Sequence, residues 1–137
     1  MKEKYDVPIA PESEFVSYMM EQMAKFRLPC TEEQAKDFYV YYACMIETNK
    51  YLNLTGITDM KEVVVKHMID SLSCYDPNII KSGMSIIDVG TGAGFPGIPL
   101  AIYDRSLKVT LFDSLKKRLT FIESVMDELN LTNCRTL

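Results

Sequence analysis

The spacing of apolar residues in the first third of the chain predicts helices. From Ser13 to Leu28 apolar side chains recur every three or four residues, as on one helix face, and Pro29 ends that run. Thr31 followed by Gln34 matches a capping box, which predicts that a second helix begins there. The apolar positions of the two helices are Phe15, Met19, Met23 and Phe26, then Ala35, Phe38, Tyr42, Met45 and Ile46.

An aromatic cluster lies in the second predicted helix. Exposed rings at this spacing would suit stacking with RNA bases, but helices more often bury such rings. We therefore expect this cluster to belong to the hydrophobic core. Its members are Phe38, Tyr39, Tyr41 and Tyr42.

A third helix is predicted after a polar, turn-prone connection from Asn49 to Thr58. Asp59 can cap it, and its apolar stripe runs through Val63, Val64 and Met68 to about Leu72.

The pattern changes at Met84, where a short, β-branched run is typical of a buried parallel strand. Strand and helix patterns then alternate, which favours a doubly wound α/β sheet with right-handed crossovers. We expect an N-terminal helical segment over residues 1–82, followed at residues 83–137 by the first part of a Rossmann-like domain. The predicted elements are a strand at Met84–Val89, a glycine loop at Gly90–Gly97, a helix through Ile98–Ile102, a strand at Lys108–Phe112, a helix at Leu115–Leu129 and the start of a third strand at Asn133–Leu137.

Two complete strands and part of a third are too few for an open α/β sheet of ordinary size. We therefore expect the chain to be the N-terminal portion of a longer protein, with one edge or face of its sheet uncovered.

Composition excludes several classes of protein. Of the 137 residues, 47% are hydrophobic and 25% are charged, a balance typical of soluble domains. Apolar runs are far shorter than the roughly 20 residues that span a bilayer. The charged first residues contain no apolar stretch, so we expect no signal peptide. The four cysteines have no metal-site or redox spacing. We expect a cytoplasmic protein with no membrane partner and no metal.

The glycine loop carries the most informative chemistry. Glycines allow positive φ and let a ligand approach the backbone. The loop follows the first strand, at the sheet edge where α/β proteins bind ligands. We expect the following helix to direct free amides and its positive dipole end back at the loop, which would favour an anionic group there.

Two cofactors compete for this loop. Gly92-x-Gly94-x-x-Gly97 matches the dinucleotide fingerprint, whereas Asp88-x-Gly90-x-Gly92-x-Gly94 matches the S-adenosylmethionine loop of Rossmann-like methyltransferases. Asp88 favours the second, since a carboxylate there would repel a pyrophosphate and complement the ammonium of S-adenosylmethionine. One alternative is an enzyme of a different class, an NAD-linked oxidoreductase. The other is a Rossmann-like methyltransferase that acts on another substrate.

Asp113 ends the second predicted strand. A carboxylate there can accept hydrogen bonds from the ribose hydroxyls of either cofactor, so it does not choose between them. It could instead cap the helix that follows.

Four segments together resemble the bacterial RsmG family, also called GidB. They are Asn49–Thr55, His67–Leu72, Asp88–Leu100 and Asp113–Arg118. The continuation Gly-Phe-Pro-Gly-Ile-Pro-Leu is much more specific than a bare glycine motif.

The resemblance implies a cytoplasmic S-adenosylmethionine-dependent methyltransferase that makes 7-methylguanosine in 16S ribosomal RNA. It also implies that Gly90 and Phe95 contact the cofactor, and that further cofactor contacts lie past Leu137. We therefore expect this chain to be inactive by itself. The substrate would be the RNA or the small-subunit ribonucleoprotein.

The reaction needs no general base, because guanine N7 has a lone pair and no proton to remove. Asp70 and Ser71 could hydrogen-bond to the glycine loop, and a catalytic role for them is an equal alternative. The chain's net charge is −4, so RNA would have to meet a local basic patch. Lys116, Lys117 and Arg118 form its densest basic cluster and are candidates for phosphate contacts, although a solvated helix face is an equal alternative. His67, the single histidine, is a candidate RNA contact from its place in the family motif, or else a structural residue.

Overall fold

The computed structural model describes residues 7–137 and contains, within them, five helices and a three-stranded parallel sheet. The helices are α1 (Glu12–Lys25), α2 (Glu32–Asn49), α3 (Met60–Glu62, Val63–Ile69 and Asp70–Leu72 in succession), α4 (Gly97–Tyr103) and α5 (Lys116–Leu129). The strands are β1 (Ser85–Val89), β2 (Lys108–Phe112) and β3 (Cys134–Thr136). Every predicted element is present, and most bounds differ from the prediction by one to three residues.

The predicted capping box at the start of α2 is confirmed. Thr31 Oγ1 accepts a hydrogen bond from the Gln34 amide at 3.1 Å, and Gln34 Oε1 accepts one from the Thr31 amide at 2.9 Å. The Gln34 side chain also donates to the carbonyl of Tyr103 at 3.0 Å, which ties the start of α2 to the end of α4.

The middle of α3 is a π-helix, which the sequence pattern did not indicate. Val63–Ile69 has π-helical hydrogen bonding between two short α-helical ends, and Asp59 caps the whole segment through the Glu62 amide. Single π turns are frequent at functional sites because the wider turn redirects side chains. This one carries His67.

The sheet has the simple order β1-β2-β3, with all strands parallel. Ser85 pairs with Lys108 and Val89 with Phe112 across the first two strands. Because both crossovers advance in the same direction and are right-handed, α4 and α5 lie on the same face of the sheet. This arrangement is part of a Rossmann-like fold.

The N-terminal helices form a further layer outside α4 and α5. Helix α2 packs against both of them, and the end of α3 packs against α4. The helices and the sheet therefore share one continuous core, so the division at residues 82 and 83 into two domains stays a prediction.

The opposite face of the sheet is open within residues 7–137, as predicted. Ile87 and Val89 on β1 are 66% and 73% exposed, and Phe112 on β2 is also exposed. The alternation along β1 explains the pattern, since Asp88 between them points to the helix-covered face and is buried.

The aromatic cluster of α2 belongs to the core, as expected. Phe38, Tyr41 and Tyr42 are fully buried, and Tyr39 is partly buried against Phe15. These rings are therefore unavailable for stacking on RNA.

We expect Thr31→Ala to lower the free energy of unfolding by about 1 kcal/mol, because it removes one arm of the capping box. Chemical denaturation with circular dichroism measures this. Thr132→Ala, at an exposed threonine before β3, is the matched control and should change little. Equal stability of the two variants would show that the capping box does not stabilise α2.

Candidate functional site

The glycine loop joins β1 to α4 at the carboxyl edge of the sheet. The amides of Gly90 and Thr91 both donate to the carbonyl of Phe112, at 2.8 and 3.0 Å. The beginning of the loop is thereby fixed to the end of β2, the strand that leads to Asp113.

A buried carboxylate organises the rest of the loop. Asp88 Oδ2 accepts hydrogen bonds from Thr91 Oγ1 at 2.6 Å and from the Gly97 amide at 2.9 Å. Burial raises the pKa of Asp88, and these two hydrogen bonds oppose that rise because they favour the ionised form. Asp88 thus connects three consecutive parts of the site: the strand, the loop and the first turn of α4.

The expectation of free amides at the start of α4 was wrong. The Gly97 amide is taken by Asp88, the Ile98 amide donates to the carbonyl of Gly94 at 2.7 Å, and Pro99 has no amide hydrogen. The anion that complements this end of the helix is therefore Asp88 itself. These amides are therefore not free to bind a ligand.

The two oxygens of Asp88 differ in their contacts. Both hydrogen bonds that the side chain accepts within residues 7–137 end on Oδ2. Asp88 is 8% exposed, and Oδ1 has no hydrogen-bond partner in that range.

Asp113 links the end of β2 to the same loop. Its Oδ1 accepts from the Leu115 amide at 2.9 Å, and its Oδ2 accepts from the Gly92 amide at 2.9 Å. These amides, together with Arg118 at 3.5 Å, hold the pKa of Asp113 below its ordinary value. The carboxylate is thus kept ionised beside Gly92.

The glycines of the loop divide into two groups. A Cβ at Gly94 would lie 2.7 Å from Tyr41 Oη, and one at Gly97 would lie 2.9 Å from Asp88 Oδ2, so these two are glycines because the protein packs against them. Gly90 and Gly92 have positive φ and no neighbouring atom within 4 Å of a Cβ position. The open space beside Gly90 and Gly92 is where a ligand can approach the backbone.

Tyr41 holds the loop from the side of the N-terminal helices. Its hydroxyl donates to the carbonyl of Ala93 at 2.6 Å, and its ring lies 5.3 Å from that of Phe95. Burial raises the pKa of Tyr41 well above its ordinary value, so the hydroxyl remains a donor. Sequence reasoning placed Tyr41 in the core but missed this contact, because helical spacing does not show which loop a buried hydroxyl meets.

His67 packs directly on the loop. Its ring stacks on Phe95, with centroids 4.3 Å apart and planes 11° from parallel, and its Nε2 lies 2.9 Å from Thr55 Oγ1. Burial lowers the pKa of His67, with Asp70 acting in the opposite direction. The structure therefore places this candidate RNA contact against the ring of Phe95.

A buried asparagine completes this support, and sequence reasoning also missed it. Asn49 Oδ1 accepts from the amides of Leu54 and Thr55, and its Nδ2 donates to the carbonyl of Thr55 at 3.0 Å. The loop after α2 is thereby fixed, and with it the hydroxyl that meets His67.

The three residues of the basic cluster have different surroundings in the structure. Arg118 points to Asp113, whereas Lys116 and Lys117 are exposed and form no ion pair among the described residues. Two lysines at the start of α5 are thus available to an external anion.

The described part of the chain has no helix long and apolar enough to cross a bilayer. Within the same range there is no group of three or more His, Cys, Asp or Glu side chains placed to hold a metal ion.

Comparison with known proteins decides the family. The family model GidB, described as rRNA small subunit methyltransferase G, matches residues 34–137. The chain belongs to the GidB family.

Relatives named "Ribosomal RNA small subunit methyltransferase G" agree with this. The chain is 47% identical to that of Desulforamulus reducens over 115 residues, covering 83% of the chain and 48% of the relative. It is 44% identical to that of Macrococcus caseolyticus over 126 residues, covering 90% of the chain and 50% of the relative. The chain therefore spans about half the length of the curated relatives it matches.

The glycine loop lies within the residues that the GidB family model matches. The family is named for enzymes that transfer methyl groups, so the resemblance predicted from Asp88–Leu100 is confirmed. The match begins at Gln34, so it includes Tyr41, Asn49 and His67, which support the loop.

We expect Asp88→Ala to lower the free energy of unfolding by about 2–3 kcal/mol, because it leaves the Gly97 amide and the Thr91 hydroxyl without their charged acceptor. Urea denaturation measures the loss, and hydrogen exchange should show faster exchange of the Gly97 amide. Asp127→Ala, which removes an exposed carboxylate on α5, is the control. Unchanged exchange at Gly97 would contradict the role assigned to Asp88.

We expect His67 to make stability depend on pH. Its folded-state pKa lies below the ordinary value of 6.5, so the unfolded chain binds more protons between those two values. The stability that neutral His67 contributes is full above pH 6.5 and is lost as the pH falls through that window. Denaturation of the wild type and His67→Gln across this range measures it. A constant difference in stability between the two would contradict the assignment.

Proposed function

We propose that the protein containing this chain transfers a methyl group from S-adenosylmethionine to N7 of a guanosine in 16S ribosomal RNA, in the cytoplasm. The names of the relatives supply the substrate class, and they say this of those proteins. The loop geometry supports the methyl donor. The RNA itself or the small-subunit ribonucleoprotein would be the partner.

The observation that carries the proposal is the open backbone at Gly90 and Gly92. It lies in the loop that the carboxyl groups of Asp88 and Asp113 both contact. Apart from the adjoining residues of the chain, no described atom lies within 4 Å of a Cβ position at either glycine, so there is room for a ligand to lie against the main chain. Asp88 offers Oδ1, which accepts no hydrogen bond within residues 7–137, and Asp113 lies beside Gly92. This donor set fits a ligand with a cationic ammonium and ribose hydroxyls.

The residues divide into contact and support roles. We assign cofactor contact to Gly90, Gly92 and Phe95, the ammonium to Asp88, and the ribose to Asp113. Asp113 can do this while it still binds the loop, because each carboxylate oxygen accepts more than one hydrogen bond.

Gly94 and His67 have a proposed role different from the one that the sequence suggested. For Gly94 we propose close packing against Tyr41 in place of cofactor contact, because a side chain there would meet the Tyr41 hydroxyl. For His67 we propose support of Phe95 in place of RNA contact, since the two rings are stacked.

The reaction needs no general base from this chain. Guanine N7 attacks through its lone pair and releases no proton, and S-adenosylmethionine supplies an activated methyl group on sulfur. The protein must align the two reactants and exclude water from them. A rigid loop, fixed by Asp88, Tyr41 and the stacked His67, suits that task.

Lys116 and Lys117 are the proposed phosphate contacts. They stand at the start of α5, the helix that directly follows Asp113, and are exposed. Arg118 is proposed to act on Asp113, with which it forms an ion pair.

Two observations count against the oxidoreductase alternative. The amides at the start of α4, where a pyrophosphate would bind, are already bonded to Asp88 and to the carbonyl of Gly94. The family of the chain is named for methyl transfer.

Methylation of 16S ribosomal RNA transcribed in vitro tests the proposal. We expect the whole protein that contains this chain to transfer labelled methyl groups to this RNA or to small subunits reassembled with it. Borohydride reduction followed by aniline should then cleave the RNA at the modified guanosine, since this treatment breaks the chain at 7-methylguanosine. Methyl transfer without such cleavage would reject the N7 position, and no transfer to either substrate would reject the function.

Calorimetry tests the cofactor separately. S-adenosylmethionine should bind and NAD should not. Asp88→Asn should weaken binding by about 1.5–3 kcal/mol, the value of one charge-assisted hydrogen bond, while Asp127→Asn should leave it unchanged. Equal affinity in the two variants would remove Asp88 from the cofactor site.

A further inference from the structure

A groove between the end of α2 and helix α5 contains Lys117, a phosphate contact proposed above, but its other residues have no role so far. Tyr51 and Leu52 line one side of it, and Lys117, Thr120 and Ser124 line the other, over a floor formed by Phe121. We call it the α2–α5 groove.

Tyr51 is the unusual residue of this groove. Its side chain is 81% exposed, and it has no aromatic or side-chain hydrogen-bond partner within residues 7–137. A large ring held in water on a soluble protein is commonly a contact for a partner, because covering it recovers hydrophobic free energy.

The backbone around Tyr51 is fixed before any partner arrives. The amides of Tyr51 and Leu52 both donate to the carbonyl of Thr48, which continues the last turn of α2. Asn49, in the same turn, binds Leu54 and Thr55 on the other side of Tyr51. The ring is therefore presented from a rigid loop.

The charge of the groove selects an anionic partner. Lys117 is exposed and forms no ion pair among the described residues, Lys116 precedes it, and no acidic side chain is among the residues that line the groove. The hydroxyls of Thr120 and Ser124 add polar groups along α5. An exposed ring beside an unpaired lysine matches the stacking platform and cationic track of proteins that bind single-stranded nucleic acids.

The groove is also close to the glycine loop. The ring of Phe121 stacks on that of Tyr41, with centroids 6.5 Å apart, and Tyr41 contacts Phe95. Phe121 in the groove is thus connected to Phe95 in the glycine loop through the ring of Tyr41.

We propose that the α2–α5 groove binds a single-stranded segment of RNA, with one base stacked on Tyr51 and an adjoining phosphate on Lys117. This inference rests on the proposed function only in taking RNA as the partner.

Tryptophan fluorescence tests the stacking. The chain contains no tryptophan, so Tyr51→Trp places a single indole in the groove. We expect a short, mixed-sequence single-stranded RNA to quench its emission, because a stacked base quenches an indole. Phe26→Trp is the matched control, since Phe26 is also exposed but lies beyond the opposite end of α2. Its emission should stay constant.

Binding measurements test both contacts. Tyr51→Ala should weaken RNA binding roughly 5- to 150-fold, the usual effect of losing one stacked base, while Tyr51→Phe should retain most of the affinity. Lys117→Gln should lower the slope of log affinity against log salt by about 0.7, as expected for one lost phosphate contact on a single strand. Lys25→Gln, next to Phe26, should leave that slope unchanged.

Each failure has a distinct meaning. Constant emission of Tyr51→Trp at RNA concentrations that saturate binding would contradict RNA binding in the groove, even if the protein methylates ribosomal RNA. Quenching by ribosomal proteins but not by RNA would overturn it in favour of a protein partner. Quenching by RNA in a protein that transfers no methyl group would support the groove and reject the proposed function alone.

Discussion

The site depends on one buried carboxylate. Asp88 lies on the helix-covered face of β1 and binds both the Thr91 hydroxyl and the Gly97 amide, so the strand, the loop and α4 meet at one oxygen. Gly97 has to be glycine because a side chain there would collide with that oxygen. Because the amides of Gly97 and Ile98 are already bonded, the open backbone of the loop is at Gly90 and Gly92.

The N-terminal helices act on this loop through aromatic contacts. Tyr41 from α2 binds the carbonyl of Ala93, and His67 from the π-helical turn of α3 stacks on Phe95. Residues far from the glycine motif in sequence therefore set the shape of the loop. Helices α2 and α3 are thus part of the site, which is consistent with one core shared by both halves of the chain.

Most of the fold could be predicted from the sequence because the signals are local. The capping box of Thr31 and the glycine loop have patterns that physical chemistry explains directly. The π turn, the Asn49 network and the use of the α4 amides by Asp88 could not be predicted, since they depend on which groups meet in three dimensions. The same limit applies to Arg118, which belongs to the basic cluster in sequence but pairs with Asp113 in space.

The central claim is that a methyl donor contacts the open backbone at Gly90 and Gly92 and leaves the start of α4 unchanged. Amide chemical shifts measured by NMR during titration with S-adenosylmethionine test it most directly. We expect large shifts at Gly90 and Gly92, and small ones at Gly97 and Ile98, whose amides stay bonded to Asp88 and Gly94. The largest shifts at Gly97 and Ile98, with none at Gly90, would contradict the claim.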